Sequence, residues 1–228
     1  MHKANLATEA VMPVIVIANP KGGVGKSTLA TNVAGCLASA GHAVMLGDVD
    51  RQQSAQQWRA QRPSTLPLIR GWEVSDKKLV RPPSGVTHVV IDTPAAMLDA
   101  QLDAVLRIAD KLLIPLQASL FDIRATHAFV QQLHAREHAH KHAHKQANKR
   151  ARDLRIGLVA MRVREHTLAN EQLHHYLDTL AVPVVAWLRE TQNYVQLAAR
   201  GLTLWDVAPS RVERDLEQWQ PLKAWIEA

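Results

Sequence analysis

The chain alternates between two patterns of apolar residues. Short runs near 13–18, 43–47, 67–70, 87–91, 111–114, 155–161 and 183–187 are β-branched or aliphatic at most positions. Runs of this kind suit strands buried on both faces, because strict polar–apolar alternation marks a sheet with one solvated side. Between and after them, near 27–40, 53–61, 98–109, 121–150, 167–180, 191–200 and 211–226, apolar residues recur at helical spacing. Strand followed by helix, repeated, predicts an α/β fold: a doubly wound, mostly parallel sheet flanked by helices. Pro82 and Pro83 make Asp76–Gly85 an expected edge loop. Residues 13–228 are expected to form one domain behind a flexible leader over 1–12. A chain of this length buries roughly 70–75% of its unfolded surface, so no disulfide or structural metal is needed.

The first strand runs directly into Lys21-Gly22-Gly23-Val24-Gly25-Lys26-Ser27-Thr28, and the first helix follows. Strand, glycine-rich loop and helix together form a phosphate-binding device, the P-loop. The glycines let the backbone approach a phosphate and aim N–H groups inward at a helix N-terminus. Lys26 is placed to reach the β- and γ-phosphates, and the Ser27 hydroxyl to meet Mg²⁺. Lys21 is a second cation at the mouth of the loop, which one cradle does not require. Two further strands end in carboxylates: Asp48 and Asp50 after the second, Asp92 after the fourth. Ligands of open α/β sheets sit beyond the carboxyl ends of the strands. A carboxylate there can hold Mg²⁺ through water or orient a nucleophilic water.

At these motifs the chain resembles the ParA/MinD ATPases, specifically small ParA proteins with the deviant Walker A loop. Lys21–Thr28 is similar to that loop and Val89–Pro94 to the Walker B strand. Asp48-Val49-Asp50 with Gln52, Ser54, Ala55 and Trp58 is similar to the intervening motif, and Phe121-Asp122 also fits. The resemblance covers about residues 13–210 and implies a P-loop ATPase of the deviant Walker A class, hydrolysing ATP to ADP and phosphate with Mg²⁺. It implies that Lys21 crosses a dimer interface to the partner's ATP. Gly22, Gly23, Val24, Gly25, Lys26, Ser27 and Thr28 would hold nucleotide, Ser27 with Asp48 and Asp92 would serve the metal, and Asp50 would orient the attacking water. Two residues depart from the pattern: Arg51 stands where proline is usual, and Gly47 where an apolar residue is common. Arg51 places a cation beside the carboxylates and puts the hydrolysis rate, more than nucleotide binding, in question.

Charge adds a partner. The chain carries a formal net charge of +6, concentrated between His134 and Arg155. Lys141, Lys145 and Lys149 lie four apart, so a helix presents them on one face, and Arg150 and Arg152 follow. A row of ammonium groups suits the DNA backbone and reads no bases. Non-specific DNA binding by the ATP-bound homodimer is what the resemblance implies, with Arg189, Arg200 and Arg211 as alternative contacts. A ParB-like adaptor that stimulates hydrolysis is the implied partner. His134, His138, His140, His142 and His144 have spacings a transition metal could use, but an exposed Ala/His/Lys helix needs none.

Several classes are disfavoured. Cys36 is the single cysteine, which excludes an internal disulfide or an iron–sulfur cluster and fits a reducing, cytoplasmic setting. It is expected in the core. No run is long enough to span a membrane. The C-terminal helix has no basic excess and Pro221 is expected to interrupt it, so it should pack on the domain and not on lipid. About a dozen residues precede the first strand, too few for a DNA-reading helix-turn-helix. The expected function is partition of plasmid or chromosomal DNA, with nucleoid association in the ATP state. The alternatives are positioning of another cargo, such as conjugation machinery or a polar protein assembly, or a small-molecule kinase or ligase resembling dethiobiotin synthetase.

Overall fold

A computed structural model describes residues 12–72, 74–75, 78–79, 82–146 and 153–228; for 74–75, 78–79 and 137–146 the description is of the backbone. The strands are β1 (Val14–Ile17), β2 (Val44–Asp48), β3 (Ile69–Trp72), β4 (Val74–Ser75), β5 (Lys78–Leu79), β6 (His88–Asp92), β7 (Lys111–Gln117), β8 (Arg155–Val163) and β9 (Val184–Arg189). The helices are α1 (Lys26–Ser39), α2 (Ser54–Ala60), α3 (Asp99–Leu106), α4 (Leu120–Gln146), α5 (Leu168–Leu177), α6 (Gln192–Ala198) and α7 (Glu213–Glu227). Seven strands form one sheet in the order β3-β2-β6-β1-β7-β8-β9, and every pairing in it is parallel.

The central strands are mostly apolar because each feeds two cores. Ile15 and Ile17 of β1 face α1, α2, α6 and α7, together with Leu29, Val33, Trp58 and Trp219. Val14 and Val16 face α3, α4 and α5, together with Leu102, Phe129 and Leu173. Every parallel strand therefore delivers its carboxyl end to one edge of the sheet, and the helix N-termini collect there. Cys36 is buried in α1, as expected, and burial pushes its thiol up to about 12, which leaves it inert.

Two expectations are corrected. The segment Asp76–Gly85 is not wholly loop, because Lys78–Leu79 pairs antiparallel with Val74–Ser75 in a small hairpin. Short pairings of this kind leave little periodicity to read. Pro221 does not interrupt the C-terminal helix, which runs unbroken from Glu213 to Glu227. Pro221 and Glu217 both lie on the exposed face, so water can serve the Glu217 carbonyl that the missing N–H leaves unbonded. The inner face of α7 is buried through Trp219, Leu222 and Ile226, and Trp219 Nε1 donates to the Tyr194 hydroxyl at 2.8 Å. Lys111 at the start of β7 donates to the carbonyls of Trp225 and Ile226, which satisfies the last turn. That helix is thus docked on protein, and no described helix is long and apolar enough to cross a membrane. The basic helix is real to Gln146, whereas Lys149, Arg150 and Arg152 lie outside the described residues, as does the leader over 1–11.

Arg62, just past α2, forms a bidentate pair with Asp206 at 2.7 and 2.8 Å. Both side chains are almost fully buried, and Asp206 also accepts from the Thr203 backbone and hydroxyl. Burial alone would raise the Asp206 carboxyl, but these hydrogen bonds and the Arg62 charge hold it below the usual range. Arg62→Ala strands a buried carboxylate and should lower stability by about 3–5 kcal/mol, read from urea denaturation at pH 7; a loss below about 1 kcal/mol would show that the pair is not a structural tie.

Candidate functional site

The phosphate loop leaves β1 at Ala18 and enters α1 at Lys26, and two long-range clamps shape it. Asn19 is buried; its Nδ2 donates to the Pro115 carbonyl at 2.8 Å and to Thr126 Oγ1 at 3.0 Å. Its Oδ1 accepts the Lys21 N–H at 2.8 Å, so one amide fixes the turn against β7 and α4. Gln117 at the end of β7 donates to the Gly23 carbonyl at 2.8 Å. Gly23 and Gly25 have φ of 76° and 99°, the left-handed region that side chains avoid. A Cβ on Gly25 would also lie 2.9 Å from Met161 Cε. The N-terminus of α1 has no side-chain cap and no acidic residue in its first turn. Its free N–H groups and positive dipole end are thus left for an anion.

Lys26 is buried and its Nζ donates to the Lys21 carbonyl at 2.8 Å, across the loop. Burial lowers its pKa, while Asp92 and Asp50 hold it up. Lys21 is about two-fifths exposed at the mouth, with Nζ 4.0 Å from Asp122 Oδ1. At that length and exposure the pair is weak, so the ammonium remains available.

The carboxylates come from neighbouring strands. β2 and β6 pair with Asp48 opposite Asp92, which puts both at the carboxyl edge. Asp48 is tied up in local structure. Its Oδ1 accepts the Asp50 N–H at 3.0 Å, and its Oδ2 accepts from Ala55 and Gln56 at 2.9 and 3.1 Å. Burial raises its pKa and these three N–H groups pull it back, with the Asp50 charge raising it further. Asp48 therefore caps α2 as well as facing the site, and one lone pair remains for a metal-bound water. Asp50 is partly exposed and holds the Gln52 N–H at 3.0 Å.

Asp92 differs from both. It is 1% exposed, and neither carboxylate oxygen has a hydrogen-bond partner. Burial pushes its pKa up to about 7; Ser27, beside it but outside hydrogen-bonding geometry, lowers it, Asp48 raises it and Lys26 lowers it. Two buried, unpartnered carboxylate oxygens beside a hydroxyl are oxygen donors that a hard divalent cation takes, and the nearby Lys26 ammonium suits the phosphate that would accompany it. The residues present fit Mg²⁺, with Ser27 and Asp92 as direct candidates and Asp48 behind water. Among the residues with described side chains, no group of three or more His, Cys, Asp or Glu is arranged to hold a transition metal.

Residues 15–204 match the CobQ/CobB/MinD/ParA nucleotide binding domain. The chain belongs to this family. A stretch of 112 residues is 38% identical to a maintenance of carboxysome distribution protein A from Gloeobacter kilaueensis, covering 48% of this chain and 51% of that one. The chain thus spans about half the length of this curated relative. Among solved structures, a putative plasmid partition protein from Borrelia burgdorferi bound to AMPPNP aligns with TM-score 0.67 and 18% identity over 94% of this chain and 98% of that one. An ATP complex of a Cyanothece McdA variant aligns with TM-score 0.63 and 19% identity, covering 94% and 97%. At these identities the structures share the ParA/MinD fold.

Asn19, Gln117 and Met161 support the loop and had no sequence signal, since each acts on residues far along the chain. Arg189, an alternative DNA contact, is part-buried and paired through Nε with the fully buried Asp215, which also accepts from Asn193 at 2.6 Å. Arg200 and Arg211 remain exposed beside a groove of about 370 Å³. The side chains of Lys141 and Lys145 lie outside the description, although their backbone is on α4.

Asp92 gives a pH prediction. Its folded pKa lies above its unfolded value, so the unfolded chain loses this proton first and stability falls between about pH 4 and 7. Asp92→Asn removes that cost. Without metal or nucleotide, it should raise the thermal midpoint most at pH 8, with the gain fading toward pH 4. An equal midpoint at pH 8 would show that Asp92 is not a strained carboxylate.

Proposed function

We propose that this chain is a Mg²⁺-dependent ATPase of the ParA type, closed by ATP into a face-to-face homodimer that binds DNA without sequence preference and positions a cargo. The observation that carries the reading is the pairing of a glycine loop clamped open at an uncapped helix N-terminus with the unpartnered Asp92 carboxylate beside Ser27. In such a site the loop N–H groups and Lys26 take the triphosphate, and Asp50 orients water for in-line attack. Mg²⁺ supplies charge neutralisation on the transferring phosphoryl group. Asp48 fixes the Asp50 turn through its backbone hydrogen bond.

The dimer reading is supported by the rim. Leu98, Leu120, Phe121, Leu168 and Val195 are each more than half exposed. They sit in or at the start of the helices that follow β6, β7, β8 and β9, so they share the carboxyl edge with Lys21. Apolar side chains around a phosphate site suit closure against a second copy. Lys21, which its own cradle does not need, would cross to the partner's nucleotide. This also weighs against a small-molecule kinase on the same fold.

The cargo has two readings. Plasmid or chromosomal DNA, delivered by a ParB-like adaptor, follows from the small-ParA motifs. A protein assembly is favoured by the 38% identity to a carboxysome distribution protein. Plasmid loss in a deletion strain, set against dispersal of a protein assembly, separates them.

Asp50→Ala should keep Mg·ATP bound and lower turnover at least about 100-fold, as expected for a lost water-orienting group; near-normal turnover would transfer the role to Asp48. With hydrolysis blocked in this way, adding Lys21→Ala should abolish the ATP-dependent dimer in sedimentation while ATP still binds. A dimer that persists would remove Lys21 from the interface. Lys141, Lys145 and Lys149 changed together to Glu should weaken DNA binding alike for unrelated sequences. With about 5 phosphate contacts, log K of the unaltered dimer should fall with log salt at a slope of roughly −4 to −5. Unchanged affinity by fluorescence anisotropy would move the DNA surface to the Arg200–Arg211 groove.

A further inference from the structure

Arg51 stands at a position where the backbone asks for a different residue. The Gln53 N–H bonds the Asp50 carbonyl at 3.0 Å, which makes Asp50–Gln53 a β-turn with Arg51 second in it. The Asp50 carboxylate bonds the Gln52 N–H at 3.0 Å, the arrangement by which Asp favours the first turn position. Proline is favoured at the second position because its φ is preset there. Arg51 has a negative φ, and its own N–H makes no hydrogen bond among the described residues. Proline would therefore cost no backbone hydrogen bond, and a compatible proline stiffens the unfolded chain by about 0.4–1 kcal/mol. The stability given up points to the side chain.

That side chain is exposed and has no ion pair or hydrogen bond among the described residues. By contrast, Arg164, just after β8, is paired with Glu190, and Arg189, the last residue of β9, with Asp215. The turn that carries it is fixed at both ends. Asp48 holds Asp50 on one side and the first turn of α2 on the other. Its neighbour Asp50 faces the phosphate loop closely enough to act electrostatically on Lys26 and Asp92. A free guanidinium on a fixed turn beside a phosphate site suits a phosphate oxygen pair beyond the reach of the buried Lys26.

We infer that Arg51 is a catalytic residue that contacts the terminal phosphate of bound ATP. This rests on the ATP-binding reading above. Lys26 grips the triphosphate from inside the loop, and Arg51 meets the γ-phosphate from the solvent side, so its contribution appears with ATP and is absent with ADP.

The test uses the full chain with Mg²⁺, and isothermal titration of AMPPNP and ADP into wild type, Arg51→Pro, Arg51→Ala and Arg51→Lys. Arg51→Pro should have a thermal midpoint equal to or above wild type and ADP affinity within about twofold, with AMPPNP bound about tenfold more weakly. Arg51→Ala should match it, and Arg51→Lys should recover part of the AMPPNP affinity as a point charge. An unchanged ratio of AMPPNP to ADP affinity in Arg51→Pro and Arg51→Ala overturns the inference, and so does a ratio changed in the proline variant alone. Wild type that binds neither nucleotide, like Lys26→Ala, overturns the ATP-binding reading itself.

Discussion

A carboxylate buried without a hydrogen-bond partner sets the terms for the whole carboxyl edge. Asp92 ends β6, a central strand paired on both sides, so its backbone is held between β1 and β2 and its side chain is buried. Its two oxygens are buried without hydrogen bonds, a situation that costs several kcal/mol if the group is ionised. Sheet register enforces that cost. Ser27, Lys26 and the open N-terminus of α1 lie beside Asp92 and suit a cation with its phosphate. In the proposed ATPase, binding and folding would thereby be coupled: the free energy that Asp92 withholds from the empty fold would return on binding of a divalent cation.

The loop opposite that carboxylate is held by residues that never touch a phosphate. Asn19 makes three hydrogen bonds that join the loop to β7 and α4, and Gln117 makes a fourth to Gly23. Left-handed glycines would otherwise sample many conformations, since they lose more freedom on ordering than any other residue. The clamps settle that entropy during folding, so the cradle is organised before a ligand arrives. The same logic separates the two lysines. Lys26 is buried and directed into the loop, whereas Lys21 stays at the surface with a weak ion pair.

The parts of this arrangement legible in the sequence were those encoded locally. Lys21–Thr28 carries its glycines, lysines and hydroxyls in eight consecutive positions, and the flanking apolar run and helical period place them on a strand–loop–helix unit. The strand-end positions of Asp48 and Asp92 followed from the apolar runs before them. Long-range geometry was not legible. Nothing near Asn19 announces a hydrogen bond to Thr126, and the second task of Asp48 as cap of α2 depends on how tightly the chain turns after β2. Pro221 misled because its cost depends on which helix face it occupies, a tertiary fact. The β4–β5 hairpin was missed because a two-residue strand has no period to detect.

Charge distribution explains why the edge needs more than the loop. Asp50 and Asp92 act on Lys26, with Asp48 opposite Asp92 in the sheet, while Lys21 lies by Asp122, so the carboxylates outnumber the lysines before any ligand binds. Mg²⁺ would reverse that balance, and a triphosphate would reverse it again more strongly. A site that passes through such swings without large rearrangement needs cations at more than one depth. Lys26 acts where the dielectric is low and Coulomb terms are large. Lys21, at the mouth, acts where they are screened unless closure against a second copy excludes water. The apolar side chains Leu98, Phe121 and Leu168 lie on the rim where such closure would be driven by burial. In the proposed closed dimer, a surface lysine of small electrostatic worth in the monomer would become a strong contact, which would give a nucleotide-dependent change in assembly without a new side chain being made.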